Sequence, residues 1–251
     1  MQLRLDKYLA DMGIGTRSEV KQYIRKKLIQ VNGQLPCGPE QKVVPGQDHI
    51  IFQGKEIIYL DYEYFMFHKP QGCVCATMDP KYPTVLDYIT EKNRKDLFPV
   101  GRLDLDTEGL LLITNDGALS HNLLAPGRHV PKTYYARVEG NVTQEDVKCF
   151  QDGVDIGEKR NTLPAQLHIL SSIQQPPDTE NWISEIQLTL TEGKYHQVKR
   201  MFEAVGKKVL YLKRISMGKL KLDDSLQPGD YRRLTEEEIY LLKNHFERRR
   251  L

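Results

Sequence analysis

Apolar residues recur at helical spacing at the start of the chain and at strand spacing through most of the rest. Leu5, Tyr8, Leu9 and Met12 fall at i, i+3, i+4 and i+7, one face of a short helix that Gly13 can end. Thr16 with Glu19 three residues on is a capping box, and Val20, Tyr23, Ile24 and Leu28 continue an apolar face, so a second helix starts at once. Ile29-Gln30-Val31 alternates as a strand and runs into an Asn32-Gly33 turn. This pattern predicts a small module over residues 1–58, too small to bury much surface alone. Tyr59 to Glu63 joins it to the remainder without a Gly/Ser-rich tether. Further on, strands are predicted at Tyr64 to His68, Leu110 to Thr114, Thr133 to Glu139, Ala165 to Leu170, Ile183 to Leu190 and Val209 to Ile215. Helices are predicted at Gln144 to Asp152, Gln197 to Val205 and Glu236 to Phe246, the last capped by Thr235 with Glu238, and Gln174-Gln175-Pro176-Pro177-Asp178 reads as a surface loop. Mixed order of this kind predicts an α+β domain over 59–251, one mostly antiparallel sheet with flanking helices.

The most informative segment is Gly101 to Gly117. It sets Arg102, Asp104, Asp106 and Glu108 directly before the apolar run Leu110 to Ile113, which is too apolar and too short for a solvated element and reads as a central strand. Asn115-Asp116-Gly117 supplies the turn that ends it. A carboxylate at Asp104, in the approach to a core strand, can be held rigidly and partly desolvated, which suits a nucleophile or base. Arg102, two residues earlier, shares its face in an extended segment. Asp106, Thr107 and Glu108 read as loop-shaping groups that bond local amides. A glycosidase needs its two acids on opposite sides of the scissile bond, and closeness in one loop gives no evidence of that. Ser120 and His121 are merely adjacent and make no case for a serine hydrolase.

Charge changes the picture through its distribution. The 251 residues carry 36 Lys and Arg against 34 Asp and Glu, and a net charge of +2 announces no polyanionic partner. Yet Arg17, Lys21 and Arg25 recur every four residues along the second helix as one stripe, fit to grip a phosphate backbone, and Glu203 is the single acid between Gly193 and Lys221. Cys37, Cys73, Cys75 and Cys149 are too scattered for a disulfide framework, and Cys73-x-Cys75 has no second pair to complete a zinc site, so no metal is expected. Without an apolar signal segment or a run approaching the ~18 apolar residues that span a bilayer, a cytoplasmic protein is expected.

Read as Gly-Arg-Leu-Asp-x-x-Thr-x-Gly-Leu-Leu-Leu-x-Thr-Asn-Asp-Gly, the central segment resembles the signature of RNA pseudouridine synthases of the RsuA type. His68-Lys69-Pro70-x-Gly72, Lys132-Thr133-Tyr134 and Glu192-Gly193-Lys194-Tyr195-His196-Gln197-Val198-Lys199-Arg200-Met201 agree with it in order and spacing. The N-terminal module is similar to the α-L RNA-binding module of a small-subunit ribosomal protein. The resemblance implies a cofactor-free isomerisation of uridine to pseudouridine with base flipping, by a monomer whose partner is ribosomal RNA. It makes Asp104 the catalytic acid, Tyr134 the aromatic that stacks on the flipped uracil, Lys199 the cation that pairs with the acid, and Arg102 the side chain that fills the gap left by the base. The turn of His68, Lys69, Pro70 and Gly72 is expected to support the cleft, with Lys69 as a phosphate contact, and Arg200 to meet RNA phosphate or a structural acid. The segment from Glu192 to Lys199 is closer to small-subunit enzymes than to large-subunit ones, which remain the nearest rival. A non-catalytic RNA-binding or ribosome-assembly protein is the rival of another class.

Overall fold

The two N-terminal helices form where the apolar spacing puts them. In a computed structural model that describes residues 1–175 and 181–244, they are α1 (Leu5–Asp11) and α2 (Arg17–Arg25). The capping box is complete: the Thr16 amide donates to the Glu19 carboxylate at 2.6 Å, and the Glu19 amide donates to Thr16 Oγ1 at 3.2 Å. Strands β1 (Leu3–Arg4) and β3 (Lys42–Val43) pair, and β2 (Ile29–Val31), β4 (Ile50–Phe52) and β5 (Lys55–Glu56) make a second small sheet. Asn32 and Gly33 both adopt left-handed φ, at 52° and 77°, as the tight turn after β2 requires. Leu5, Leu9, Val20, Ile29, Val43 and Ile50 are wholly buried and form this unit's own core.

The compact unit extends beyond Ile58: it comprises Met1–Glu63 and also Ile89–Phe98. Polar bonds hold the inserted segment. The Glu63 carboxylate accepts from the backbone amides of Asn93 and Arg94, and the buried Arg94 guanidinium donates to Asp96 and to the Leu60 carbonyl. No apolar periodicity marks such bonding in advance.

The second unit, Tyr64–Tyr88 with Pro99–Leu251, is built on a nine-stranded sheet. Its main path runs β10 (Gln166–Gln174), β11 (Trp182–Leu190), β9 (Lys132–Glu139), β12 (Lys208–Met217), β8 (Glu108–Thr114), β6 (Tyr64–Lys69) and β14 (Tyr231–Arg233); β13 (Leu220–Lys221) adds to β12 and β7 (Phe98–Pro99) to β8. Along that path every pairing is antiparallel except β12 with β8. The α+β architecture with a mostly antiparallel sheet is therefore as expected. Phe150 of α4 (Gln144–Asp152) and Met201 and Phe202 of α5 (Gln197–Ala204) pack on Ala136, Val138, Ile186 and Leu188. Leu119 and Leu123 of α3 (Gly117–Leu124) and Leu242 of α6 (Glu236–Lys243) pack with Met66, Leu110 and Leu112. Helix α3 was not expected; Asp116, read as a turn residue, also caps it by accepting from the Leu119 amide at 2.9 Å. The predicted end of the last helix, at Phe246, and loop residues Pro176 to Asp178 lie outside the described residues. No described helix is long and apolar enough to cross a membrane.

The parallel junction is short, joining Lys213 to Glu108 and Arg214 to Gly109. Gly109 has φ +108°, and a Cβ there would lie 2.2 Å from the Arg214 carbonyl oxygen. Backbone against backbone cannot yield as a flexible side chain can. Gly109→Ala is expected to cost about 3 kcal/mol or more, measured by urea unfolding.

Candidate active site

The approach to β8 is a tight turn, closed by the Thr107 amide donating to the Asp104 carbonyl at 3.1 Å. Three neighbours fasten it. The Leu103 amide donates to Cys75 Sγ at 3.3 Å, the Gly72 amide donates to the Leu105 carbonyl at 2.8 Å, and Lys69 Nζ donates to the carbonyls of Pro70, Asp104 and Thr107 at 2.9 to 3.0 Å. Lys69 ends the wholly buried strand β6 and has no exposure, so the phosphate contact expected of it is ruled out. Its three donors instead organise the carbonyls from which Asp104 projects. Burial pushes its ammonium down from the ordinary lysine value, against the opposing pull of Cys73, Cys75, Asp104 and Asp106.

Asp104 itself is 28% exposed, open enough to meet a ligand and flanked by a lysine and a histidine, one near each oxygen. Lys199 Nζ lies 3.7 Å from Oδ2 and His196 Nε2 lies 3.6 Å from Oδ1. Both come from the start of α5, where His196 sits in the left-handed region at φ 49° as the residue before the first turn. The tighter partner of Lys199 is Asp106, at 2.6 and 2.8 Å. Burial pushes the Asp106 carboxyl up, but the hydrogen bond and charge of Lys199 outweigh it and hold the group below the usual carboxylate range. Asp106 is therefore a clamp for the lysine rather than a partner of local amides alone. Glu108 likewise takes a distant donor, the Tyr211 hydroxyl at 2.6 Å.

The remaining expected residues separate into three groups. Tyr134 of β9 is partly buried against the core beneath α5, on the same sheet face as Ala136, while Tyr135 points to the opposite face and meets Tyr211 edge-on. Arg102 is exposed, as are Arg17, Lys21 and Arg25 on α2. Arg200 is committed elsewhere: its guanidinium donates to Glu158 at 2.9 Å, to the Tyr195 carbonyl at 3.2 Å and to the Ile156 carbonyl. Of the two roles expected for Arg200, the structure shows the contact with an acid, Glu158. Among the described residues, no cluster of His, Cys, Asp and Glu could hold a metal ion.

A carboxylate on a fastened turn, flanked by a lysine and a histidine and still accessible, can attack an electrophilic carbon or take a proton from one. The family model described as RNA pseudouridylate synthase matches residues 63–204, and that of the S4 domain matches residues 3–47. The chain belongs to the RNA pseudouridylate synthase family. The synthase is 45% identical over 241 residues to YtzG, an RNA pseudouridine synthase of Bacillus subtilis (strain 168), covering 96% of this chain and 98% of that one. It is 40% identical over 239 residues to ribosomal small subunit pseudouridine synthase A of Escherichia coli (strain K12), covering 94% and 98%. A crystal structure of a pseudouridylate synthase resembles it with a TM-score of 0.65 and 38% identity, over 96% of this chain and 99% of that chain. Asp104, Tyr134 and Lys199 all fall inside the synthase match, and the α2 stripe falls inside the S4 match.

Sequence reasoning missed His196 and Cys75 as neighbours of Asp104. Both stood in quoted or noticed motifs, but neither spacing says that α5 begins beside the turn.

Proposed function

We propose that this synthase isomerises uridine in small-subunit ribosomal RNA, with Asp104 as the catalytic carboxylate. The observation that carries the reading is Asp104 on its fastened turn, between Lys199 and His196. Substrate and product are isomers, so the reaction consumes no reductant or co-substrate. The C1′ to N1 bond breaks, the uracil turns, C5 bonds to C1′, the C5 proton leaves and N1 gains one. Asp104 acts at the sugar, either bonding to C1′ or taking the C2′ proton and returning it. Lys199 and His196, at 3.7 and 3.6 Å, flank its two oxygens and orient it. Flipping a uridine from a stack costs a few kcal/mol, and Tyr134 offers a face on which the extruded base can stack. Arg102, exposed two residues before Asp104, is the side chain proposed to fill the gap left by the base.

Small-subunit RNA is favoured by relatives whose names state it, including the enzymes of Escherichia coli and Haemophilus influenzae at 40% and 38% identity. The test is to incubate the synthase with unmodified small- and large-subunit RNA, free and in partly assembled particles, and map pseudouridine by carbodiimide-dependent primer-extension stops. A new stop in small-subunit RNA is expected. Stops confined to large-subunit RNA would move the assignment there, and tight binding with no stop would favour an assembly factor.

The exposed α2 stripe is the proposed grip on the phosphate backbone. Replacing Arg17, Lys21 and Arg25 together by glutamine is expected to lower the slope of log binding constant against log salt by about 2 to 3. Filter binding across a salt series measures it, and an unchanged slope removes the stripe from the RNA surface.

A further inference from the structure

Among the described residues Lys69, Lys132 and Arg214 are buried cations with no carboxylate partner; Lys69 is taken up by carbonyls at the Asp104 turn, and the other two are not. Lys132 opens β9 and is 9% exposed; Arg214 lies in β12 and is 3% exposed. The Lys132 ammonium donates to the Val130 carbonyl at 2.9 Å, Arg214 Nε donates to the Leu110 carbonyl at 2.8 Å, and the buried Arg214 Nη2 has no acceptor among the described residues. Neither forms an ion pair with a carboxylate among the described residues. The charge acting on Lys132 is that of Arg214, also positive, and burial together with that charge holds Lys132 down at about 8.

Their position ties them to the reaction. Arg214 is the register partner of Tyr134 across the β12 and β9 pair, and Lys132 is two residues from Tyr134, so the three side chains share one face of the sheet. The Cys75 thiol, bonded to Leu103 beside Asp104, lies in the field of Arg214 and of Arg102. Burying like charges together with an unused donor is unfavourable unless something brings negative charge to them.

We propose that Lys132 and Arg214 form a cationic floor that receives the oxygens of the flipped uracil and stabilises the base anion formed when the glycosidic bond breaks. This rests on the reading that Asp104 isomerises uridine. When C1′ and N1 separate, the electron pair stays with the base and spreads from N1 to O2 and O4. Donors already fixed where that charge appears need no reorganisation during the step. When C5 bonds to C1′, the pair returns to the new bond, the C5 proton leaves, N1 takes up a proton, and the floor is left as it was.

The test uses the full-length Arg214→Met and Lys132→Met variants, with Asp104→Asn alongside, in single-turnover reactions on RNA carrying uridine or 5-fluorouridine at the target. Fluorine withdraws electrons and stabilises the departing base anion, so the floor matters less for the fluorinated base. Loss of the starting nucleoside reports the C1′ to N1 cleavage in both. Each Met variant is expected to slow uridine cleavage by about 10²-fold with RNA affinity unchanged, and to slow 5-fluorouridine cleavage by only about 10-fold. Equal losses on both substrates overturn the inference, as does weaker RNA binding at an unchanged rate, which would make the pair a phosphate subsite. Melting curves identify a variant that fails to fold; Lys132→Met, which removes one hydrogen bond, then decides. Full activity in Asp104→Asn would instead defeat the underlying reading, separately from the fate of the Met variants.

Discussion

Asp104→Asn is expected to leave a folded protein that binds RNA but isomerises uridine more slowly by about four orders of magnitude or more, the scale on which loss of a nucleophile acts. The substitution keeps the shape and removes the charge. Little structure depends on that charge, because the approaches of Lys199 and His196, at 3.7 and 3.6 Å, are longer than hydrogen bonds. Lys199 also keeps Asp106 at 2.6 Å, so no buried cation is orphaned. The stability change should stay within about 1 kcal/mol. Nucleoside chromatography of RNA after long incubation, melting curves and filter binding together check the three parts of this prediction.

Lys69→Met should damage the same reaction by another route. The substitution removes the donor to the Asp104 and Thr107 carbonyls of the turn and to the Pro70 carbonyl beside it. Leaving a buried acceptor unpaired costs about 1 to 3 kcal/mol; the Asp104 carbonyl keeps the Thr107 amide and relief from burying an ammonium is a partial offset, so a net loss of about 2 kcal/mol is expected. A displacement of about 1 Å in the turn is worth about 10²-fold in rate. Lys69→Arg should not rescue it, since a planar guanidinium cannot direct donors to three carbonyls arranged around one nitrogen. Urea unfolding and single-turnover rates measure both effects. A stable Lys69→Met protein with wild-type rate would show that the turn holds itself.

Much of this arrangement was legible because local rules and tertiary structure agree. The Thr16 and Glu19 pair, the Asn32-Gly33 turn and the short apolar run at Leu110 each have one good structural solution, and each is found. Legibility failed where one residue type serves two purposes. Asp116 looks like a turn acid and is also a helix cap, so α3 was invisible. Lys69 looks like a surface cation, yet it continues a strand whose preceding residues, Tyr64 to His68, are all buried. The apolar run Tyr64 to Phe67, directly before His68, Lys69 and Pro70, was the available clue.

The site shows the same limit at finer scale. Motif order placed Asp104, Tyr134 and Lys199 in one unit, but spacing along the chain cannot say which carboxylate a helix lysine reaches. Lys199 reaches Asp106 most closely and Asp104 second. Residues 89–98 join the first unit through bonds from Glu63 and Arg94, and such polar attachment leaves no periodic trace. Arg214 gave no signal at all, because a lysine-arginine pair inside a strand reads as solvated charge until its burial is known.

The most direct measurement is tritium release from small-subunit RNA labelled at uracil C5, under single turnover, with the wild-type synthase and Asp104→Asn side by side. Bonding C5 to C1′ expels that hydrogen, so release counts isomerisation events. The wild type should release one tritium per target site and the variant none on the same timescale while retaining RNA affinity. Equal release from both proteins would contradict the assignment of Asp104.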